Sequence, residues 1–400
     1  MKPETQELYE QFILCNYAPP PIAIVRGKGA RVWDDKGCEY LDFSSGVAVN
    51  ALGHCHPVWV KAVKNQIEQL GHCSNLFAST LQGKLARRLC DYAGPGKVFF
   101  CNSGAEATET LLKFARLHGN KLSGKEGLQF QVLCAKNSFH GRTFGGMSAT
   151  GQEKIQTGFR PVLSGFSHAE FNNLESFESA LTDNTSAILV ETIQGEGGIH
   201  AAKREFMSGL RDLCTQRNIL LLVDEVQCGA GRTGTFFAFE EAGIIPDGIA
   251  MAKGLGGGFP IGAAWIRKEF AELFQPGSHG CTFGGNPMAC AAAQAVLDVI
   301  EDEKLLQNVQ ELGSWFLQEL VKLSDNYPGL VDAVRGRGFL IGVALKVDAG
   351  QAVAKLRGAG LLSVPAAGNV VRFLPPLNVT RAELLKCLET LEEVLRDWSA

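Results

Sequence analysis

The sequence predicts an α/β protein, with a mostly parallel central sheet covered by helices and a smaller α+β unit after it. Three observations carry this prediction. Between about residues 57 and 251, helical patterns alternate with short aliphatic runs. Those runs are continuous rather than alternating, as strands are when both faces of their sheet are covered. Beyond about residue 330 the rhythm changes to shorter strands and a terminal helix. At roughly 150 residues per domain, a chain of 400 residues suits one large and one small unit. With 46 % apolar and 20 % charged residues it can bury a sizeable core, which excludes disorder, collagen and coiled coil.

The first fifty residues read as an arm. A short helix leads into Pro19-Pro20-Pro21, and Val32-Trp33-Asp34 and Glu39-Tyr40-Leu41-Asp42-Phe43 flank the turn Asp35-Lys36-Gly37, a hairpin signal. We expect residues 1–56 to form an arm packing with the small domain, 57–300 the large domain, and 301–400 the small one. Val58, Val60, Ala62, Val63, Ile67 and Leu70 recur at helical spacing. Strands are predicted at 97–101, 131–135, 186–191, 219–224 and 248–252, with a further one at 261–266. After Asn286 comes an alanine-rich helix and then a second helix over about 303–324. Strands at 338–345 and 370–373 precede the last helix, which Thr380 and Glu383 open as a capping box.

Charge and composition exclude several classes of function. Thirty-eight basic and 42 acidic residues leave a net charge of −4, with none of the basic excess that phosphate backbones require. We therefore expect no nucleic-acid partner. No apolar run approaches the roughly 18–20 residues of a membrane helix. Residues 1–9 include Lys2, Glu4 and Glu7 and no apolar stretch, so a cytoplasmic protein without a secretory signal is expected. Twelve cysteines, spread singly with no C-x-x-C pair, read as buried small hydrophobes in a reducing compartment. Forty-six glycines exceed the ordinary share of about 7 % and imply many close backbone approaches.

In open parallel sheets ligands bind at the carboxyl ends of the strands, so polar residues there are the candidates. Asp224-Glu225 follows five aliphatic residues; it is either a solvated strand end or a charge held ready for a cation. Lys253 stands among small and apolar neighbours, where desolvation would lower its pKa and make its amine nucleophilic. Alone it would pass for an ordinary strand-end residue. Ser103 and Glu106 fit a capping box after the 97–101 strand, and the same geometry leaves free N–H groups suited to a phosphate. Phe139 and Arg142, after the 131–135 strand, would stack on a ring and clamp a carboxylate.

Two look-alikes are set aside. The stretch from Gly119 to Lys125 imitates a nucleotide P-loop, but Glu126 stands where Ser or Thr must hold magnesium, and a helix precedes it. His54-Cys55-His56 has ligand-type side chains, but adjacent positions point apart and no second pair is suitably spaced, so no metal is expected.

Asp224 and Lys253 with a phosphate turn upstream are the parts that pyridoxal phosphate requires. On these residues the sequence resembles the class III (ω-amino) aminotransferases of the pyridoxal-phosphate fold-type I superfamily. The resemblance runs from Asn16-Tyr17 to the terminal helix. It rests on Ser103-Gly104-Ala105-Glu106-Ala107, Phe139-His140-Gly141-Arg142-Thr143, Gln194-Gly195-Glu196-Gly197-Gly198, Asp224-Glu225-Val226-Gln227, Ala252-Lys253-Gly254, Thr282-Phe283-Gly284-Gly285-Asn286-Pro287 and Arg372-Phe373.

The resemblance implies a role for each position. Lys253 would anchor the cofactor covalently and then shuttle a proton. Asp224 would pair with the ring nitrogen, Phe139 and Val226 would cover the two ring faces, and Gln227 would reach the ring hydroxyl. Ser103, Gly104 and Ala105 would bind the phosphate, and Thr282 would reach the phosphate of a neighbouring subunit, which implies a homodimer. Arg372 would hold the α-carboxylate of glutamate, Arg142 the distal carboxylate, and Glu196 would occupy Arg372 when no carboxylate is there. Tyr17 also belongs to the substrate side.

Within the class the motifs are most similar to those of members acting on N2-acetylornithine with 2-oxoglutarate, in arginine biosynthesis. Succinylornithine and N-succinyldiaminopimelate stay open as donors, and ornithine and 4-aminobutyrate less so. Members acting on free ornithine carry a tyrosine where Gly46 stands, and a glycine suits an acylated amine. An aminomutase would need no second substrate, whereas the Glu196 and Arg372 pair suits alternating ones. A non-catalytic binding protein on this fold would be expected to lack Lys253.

Overall fold

The computed structural model describes residues 1–399. Its centre is a seven-stranded sheet in the order Gly96–Cys101, Gly262–Arg267, Gly248–Met251, Leu220–Asp224, Thr185–Glu191, Gln131–Ala135, Phe166–Ala169. Only Gly262–Arg267 runs against the others, pairing antiparallel with both of its neighbours. The sheet is therefore mostly parallel, and its strands end along one common edge.

Continuous aliphatic runs form these strands because both faces are buried. Along Leu220–Asp224, Leu220 and Leu222 pack with Leu111, Phe114 and Ala115 of the helix Gly104–Ser123. Leu221 and Val223 pack on the opposite side with Phe206, Met207 and Leu210 of Arg204–Arg217. Each leucine buried in this way contributes about 1.5–3 kcal/mol relative to exposure.

A second sheet, in the order Val331–Arg337, Leu340–Leu345, Val370–Phe373, Val364–Ala366, is antiparallel throughout. Helices Leu305–Asp325, Ala349–Gly358 and Arg381–Ser399 supply the rest of its core, which includes Phe316, Leu356 and Leu391. Thr380 and Glu383 exchange reciprocal hydrogen bonds at the start of the last helix, as their spacing predicts. Leu41, Phe43 and Leu52 of the arm are buried in this same core. The arm hairpin, Arg31–Asp34 with Glu39–Asp42, is extended by parallel pairing of Leu361–Leu362 with Glu39–Asp42. The helix Pro287–Asp302 serves both cores, with Ala293 and Leu297 on one side and Val296 and Ile300 on the other. A boundary at residue 300 thus falls inside a helix common to both units.

Two features depart from the sequence reading, the capping box at Ser103 and the cysteines. Glu106 accepts from Ser103's neighbour, the Asn102 N–H, so the capping box is shifted by one residue on that side, while Ser103 Oγ still accepts from the Glu106 N–H. Not all cysteines are buried small hydrophobes: Cys15, Cys38 and Cys55 are exposed and Cys73, Cys90 and Cys281 half-buried, because arm and loop segments carry them. No helix among the described residues is long and apolar enough to cross a membrane. His54 and His56 are partnered separately, with Asp42 at 2.8 Å and Glu303 at 3.2 Å.

The arm also contains a rare conformation. Ser45, Gly46, Val47 and Ala48 have consecutive φ values of 45°, 62°, 62° and 64°. A left-handed helical turn costs roughly 1–2 kcal/mol per non-glycine residue, and three of these four are not glycine.

Two helix glycines make opposite predictions. Gly83 has nothing within 4 Å of a substituent Cβ, whereas a Cβ on Gly119 would lie 1.8 Å from the Gln129 carbonyl oxygen. Alanine is favoured over glycine by about 1 kcal/mol inside a helix. Gly83→Ala should therefore raise stability by about 0.5–1 kcal/mol, and Gly119→Ala should lower it by about 1–3 kcal/mol through overpacking. Urea unfolding midpoints check both signs.

Candidate active site

Where the parallel strands end, the following loops enclose a cavity of about 420 Å³, within the usual range for small-molecule sites. Ser103, Gly104, Ala105, Phe139, Arg142, Asp224, Val226, Gln227 and Lys253 all line it. Nine residues singled out from four separate stretches of sequence are thus brought to one place.

Asp224 ends a strand whose every residue is buried. Its Oδ1 accepts the Val226 N–H at 3.0 Å, and its Oδ2 lies 2.9 Å from His140 Nδ1. His140 is 2 % exposed, and its other ring nitrogen is buried without a partner among the described residues. A carboxylate only accepts, so the His140 tautomer that fits carries its hydrogen on Nδ1. Glu191 sits directly opposite Asp224 on the adjacent parallel strand and accepts the Phe139 N–H at 3.0 Å. Burial, and then the charge of Asp224, push the Glu191 carboxyl well above the usual carboxylate range.

Lys253 follows the Gly248–Met251 strand at a φ of 45°, a region that L side chains seldom occupy. Backbone strain of this kind clusters at functional sites. Withdrawal of its amine from solvent lowers its pKa, as does the charge of Arg372, against the opposing pull of Glu196, Asp224 and Glu191. The amine makes no hydrogen bond or ion pair among the described residues.

The turn at Ser103 opens a 20-residue helix, Gly104–Ser123. The first amides of a helix have no partner within it, and its dipole favours an anion there. The turn is pressed against its surroundings: a Cβ on Gly104 would lie 2.6 Å from Val226 Cγ1, and one on Gly262 would lie 2.2 Å from the Ser103 carbonyl oxygen. The site therefore offers an anion cradle at one end, a buried carboxylate at the other, and an unpaired amine between flanking apolar groups. A flat, phosphorylated, aldehyde-bearing pyridine fits that donor set.

On the substrate side, Arg372 comes from the small sheet and is 2 % exposed. Its Nη1 donates to Glu196 Oε1 at 2.7 Å and to Gln227 Oε1 at 2.9 Å. Burial would raise the Glu196 pKa, but the Arg372 charge and hydrogen bond hold it below the usual range. Arg142 is unpaired among the described residues, with its guanidinium 5.7 Å from the Phe139 ring. Its loop is fixed by Glu109, whose Oε1 accepts from Thr143 Oγ1 at 2.6 Å and from the Gly145 N–H at 3.0 Å.

Four of the sequence candidates do not line this cavity: Glu196 and Arg372 reach it only through Gln227, and Tyr17 and Thr282 lie apart from it. Tyr17 is 83 % exposed and lines a groove of the arm. Thr282 lines a neighbouring depression that shares Asn102 with the cavity. Three residues were not singled out from sequence: His140, Glu191 and Glu109. Glu191 carries the same signal as Asp224, a carboxylate ending an aliphatic run. His140 lies inside a motif read only for its aromatic and its arginine.

A lysine, a buried carboxylate and a phosphate turn on such a sheet define a pyridoxal-phosphate aminotransferase site. A family model described as aminotransferase class-III matches residues 14–395, and the chain belongs to that family; its cofactor is pyridoxal phosphate. It is 46 % identical over 389 residues to an acetylornithine aminotransferase of Caldanaerobacter subterraneus subsp. tengcongensis, covering 97 % of this chain and 98 % of that one. Among solved structures, the ornithine aminotransferase of Toxoplasma gondii ME49 superposes with a TM-score of 0.95 at 35 % identity, covering 100 % of this chain and 96 % of that one. The N-acetylornithine aminotransferase of Stenotrophomonas maltophilia K279a gives 0.83 at 34 %, covering 96 % and 98 %.

The close fit of Gly104 to Val226 makes a specific prediction. Gly104→Ala should weaken pyridoxal phosphate binding about tenfold, or about 1.4 kcal/mol. Adding Val226→Ala should recover part of that loss. Absorbance titration of the cofactor-free protein measures both, and additive losses would contradict the contact.

Proposed function

We propose that the enzyme transfers the δ-amino group of N2-acetyl-L-ornithine to 2-oxoglutarate, giving N-acetylglutamate 5-semialdehyde and glutamate, as a step of arginine biosynthesis. The observation that carries this reading is the Glu196–Arg372 pair with Gln227. Acetylornithine presents a reacting carbon with no carboxylate beside it, and a buried guanidinium left unpaired would be destabilised by several kcal/mol. Glu196 supplies the missing charge. When glutamate occupies the site, its α-carboxylate takes Arg372 instead, and its distal carboxylate meets Arg142.

Pyridoxal phosphate, when bound, supplies an aldehyde for amine exchange and a ring that accepts electrons. Ser103, Gly104 and Ala105 would hold its phosphate, Asp224 would pair with its ring nitrogen, Gln227 would reach its hydroxyl, and Phe139 and Val226 would cover its faces. Lys253 Nζ, its pKa lowered by burial, takes and returns the proton at the carbon bearing the nitrogen. His140 orients Asp224 and spreads its charge.

We further propose a cytoplasmic homodimer in which Thr282 of a second copy completes the phosphate site and Tyr17 joins the substrate side. The division into an arm (1–56), a large domain (57–300) and a small domain (301–400) belongs to the same proposal. The second reading is free ornithine as donor, favoured by the 0.95 TM-score to an ornithine aminotransferase. Gly46 and the 46 % identity to an acetylornithine enzyme favour the acylated donor.

With 2-oxoglutarate as acceptor, kcat/KM for acetylornithine should exceed that for free ornithine and 4-aminobutyrate by at least about tenfold. A preference for ornithine would overturn the reading of Gly46, and a preference for succinylornithine would change the acyl group. In single-turnover measurements, Glu196→Ala should slow the acetylornithine half-reaction more than the glutamate half-reaction; equal slowing would remove its gating role. Lys253→Arg, which keeps the charge but cannot form the covalent link, should retain below about a thousandth of wild-type turnover.

A further inference from the structure

We propose that Asp42 and His54 act as a positioning pair that holds residues 45–48 in their left-handed turn, and that this turn fixes the active-site wall against the loop of Lys253. Asp42 is 4 % exposed, and all its acceptor capacity is directed at this unit. Its Oδ1 accepts from the Ser44 N–H at 2.9 Å, Ser44 Oγ at 2.5 Å and the Ser45 N–H at 3.0 Å. Its Oδ2 lies 2.8 Å from His54 Nε2, which must donate because a carboxylate only accepts. Burial alone would raise the Asp42 pKa, but His54 and Ser44 bring it below the usual value.

His54 is itself held rigidly. Its backbone exchanges two hydrogen bonds with Gly29, at 2.9 and 2.7 Å. A Cβ on Gly27 would lie 2.6 Å from His54 Cγ, so a glycine there is what lets the ring lie flat against the arm. The clamp therefore reaches the turn from a segment bridged to Gly29.

Beyond Asp42 the chain folds over on itself. Val47 and Ala48 donate to the Ser44 carbonyl at 2.8 and 3.2 Å, and Val49 and Asn50 to the Ser45 carbonyl at 2.8 and 2.9 Å. These bonds close a turn of the disfavoured hand, and such conformations persist only where the surroundings over-determine them. The far end of the turn meets the site. The Ala48 carbonyl oxygen lies 3.6 Å from where a Cβ of Gly254 would be, one residue after Lys253, and Asn50 Oδ1 is similarly 3.2 Å from Gly258. Val49 lines the cavity. Release of the turn would free the segment against which Lys253 is set, and Lys253 carries its own strained φ.

The inference rests on the aminotransferase reading only for the role of Lys253, and not on the identity of the amine donor. Its test uses two amides that differ by one methylene in the holoenzyme. Gln at position 54 reaches the place of Nε2 and can donate to Asp42; Asn cannot. His54→Asn should speed hydrogen exchange of the Val47, Ala48 and Val49 amides at least tenfold, leave exchange in the central sheet unchanged, and slow the glutamate half-reaction at least tenfold. His54→Gln should stay within threefold of wild type on all three measures. Adding Val47→Gly to His54→Asn should recover part of the rate, since glycine accepts a positive φ. Unchanged exchange in His54→Asn, faster exchange with an unaltered rate, faster exchange throughout the chain, or equal defects in Asn and Gln would each overturn the proposal. Use of glutamate keeps this outcome separate from any failure of acetylornithine as the donor.

Discussion

A negative charge buried at the end of an inaccessible strand is the constraint around which this site is built. Asp224 is 4 % exposed, and neighbouring groups hold both of its oxygens: the Val226 amide on one and His140 on the other. The next strand ends in a second carboxyl, Glu191, in register with Asp224, and it accepts the Phe139 N–H. Burial, and then the Asp224 charge, push its pKa well above the usual carboxylate range. Lys253 lies within the same electrostatic field, where the acids favour its charge and burial with Arg372 opposes it. The aliphatic layers on both faces of the sheet make these terms strong, because they exclude the solvent that would otherwise screen them.

The second unit matters because it brings Arg372 to this field. The guanidinium arises from the antiparallel sheet, whereas Gln227 follows a strand of the parallel one and Glu196 lies in the connection between the short antiparallel pair Ile193–Gln194 and His200–Ala201. One ion pair thus joins elements of the two units. Arg232 makes a second link. Its buried side chain donates to the Phe339 and Pro375 carbonyls, and its own carbonyl accepts from the Phe339 N–H. Deprived of any carboxylate and removed from solvent, its pKa falls to about 9.

Much of this was legible from the sequence, for a physical reason. A strand covered on both faces has to be apolar at every position, so the large sheet shows itself as uninterrupted aliphatic runs, and the polar residues ending those runs are the ones that face the ligand. Asp224, Lys253, Ser103 and Arg142 stand just beyond such runs and line the cavity. What remained hidden depends on neighbours distant along the chain. The partner of His140 is 84 residues away. The reversed direction of Gly262–Arg267 is a matter of connection, and a short aliphatic run looks the same either way. The left-handed turn contains a single glycine, so no composition signal marks it; the carboxylate of Asp42 and a histidine beyond it impose the geometry. The cysteines misled because burial was inferred from residue type, while Cys15, Cys38 and Cys55 are placed by an arm that lies on the surface.

The pairing of Leu41 with Leu361 has a bearing on how the molecule is made. The arm is translated before the strand that completes its sheet and before most of the side chains that bury Phe43 and Leu52, which come much later in the chain. Until those are made its apolar side stays uncovered while the parallel sheet assembles. A nascent chain stalled before residue 361 would therefore carry the whole parallel sheet and an adhesive, uncovered arm, which is the form that a chaperone would find to hold.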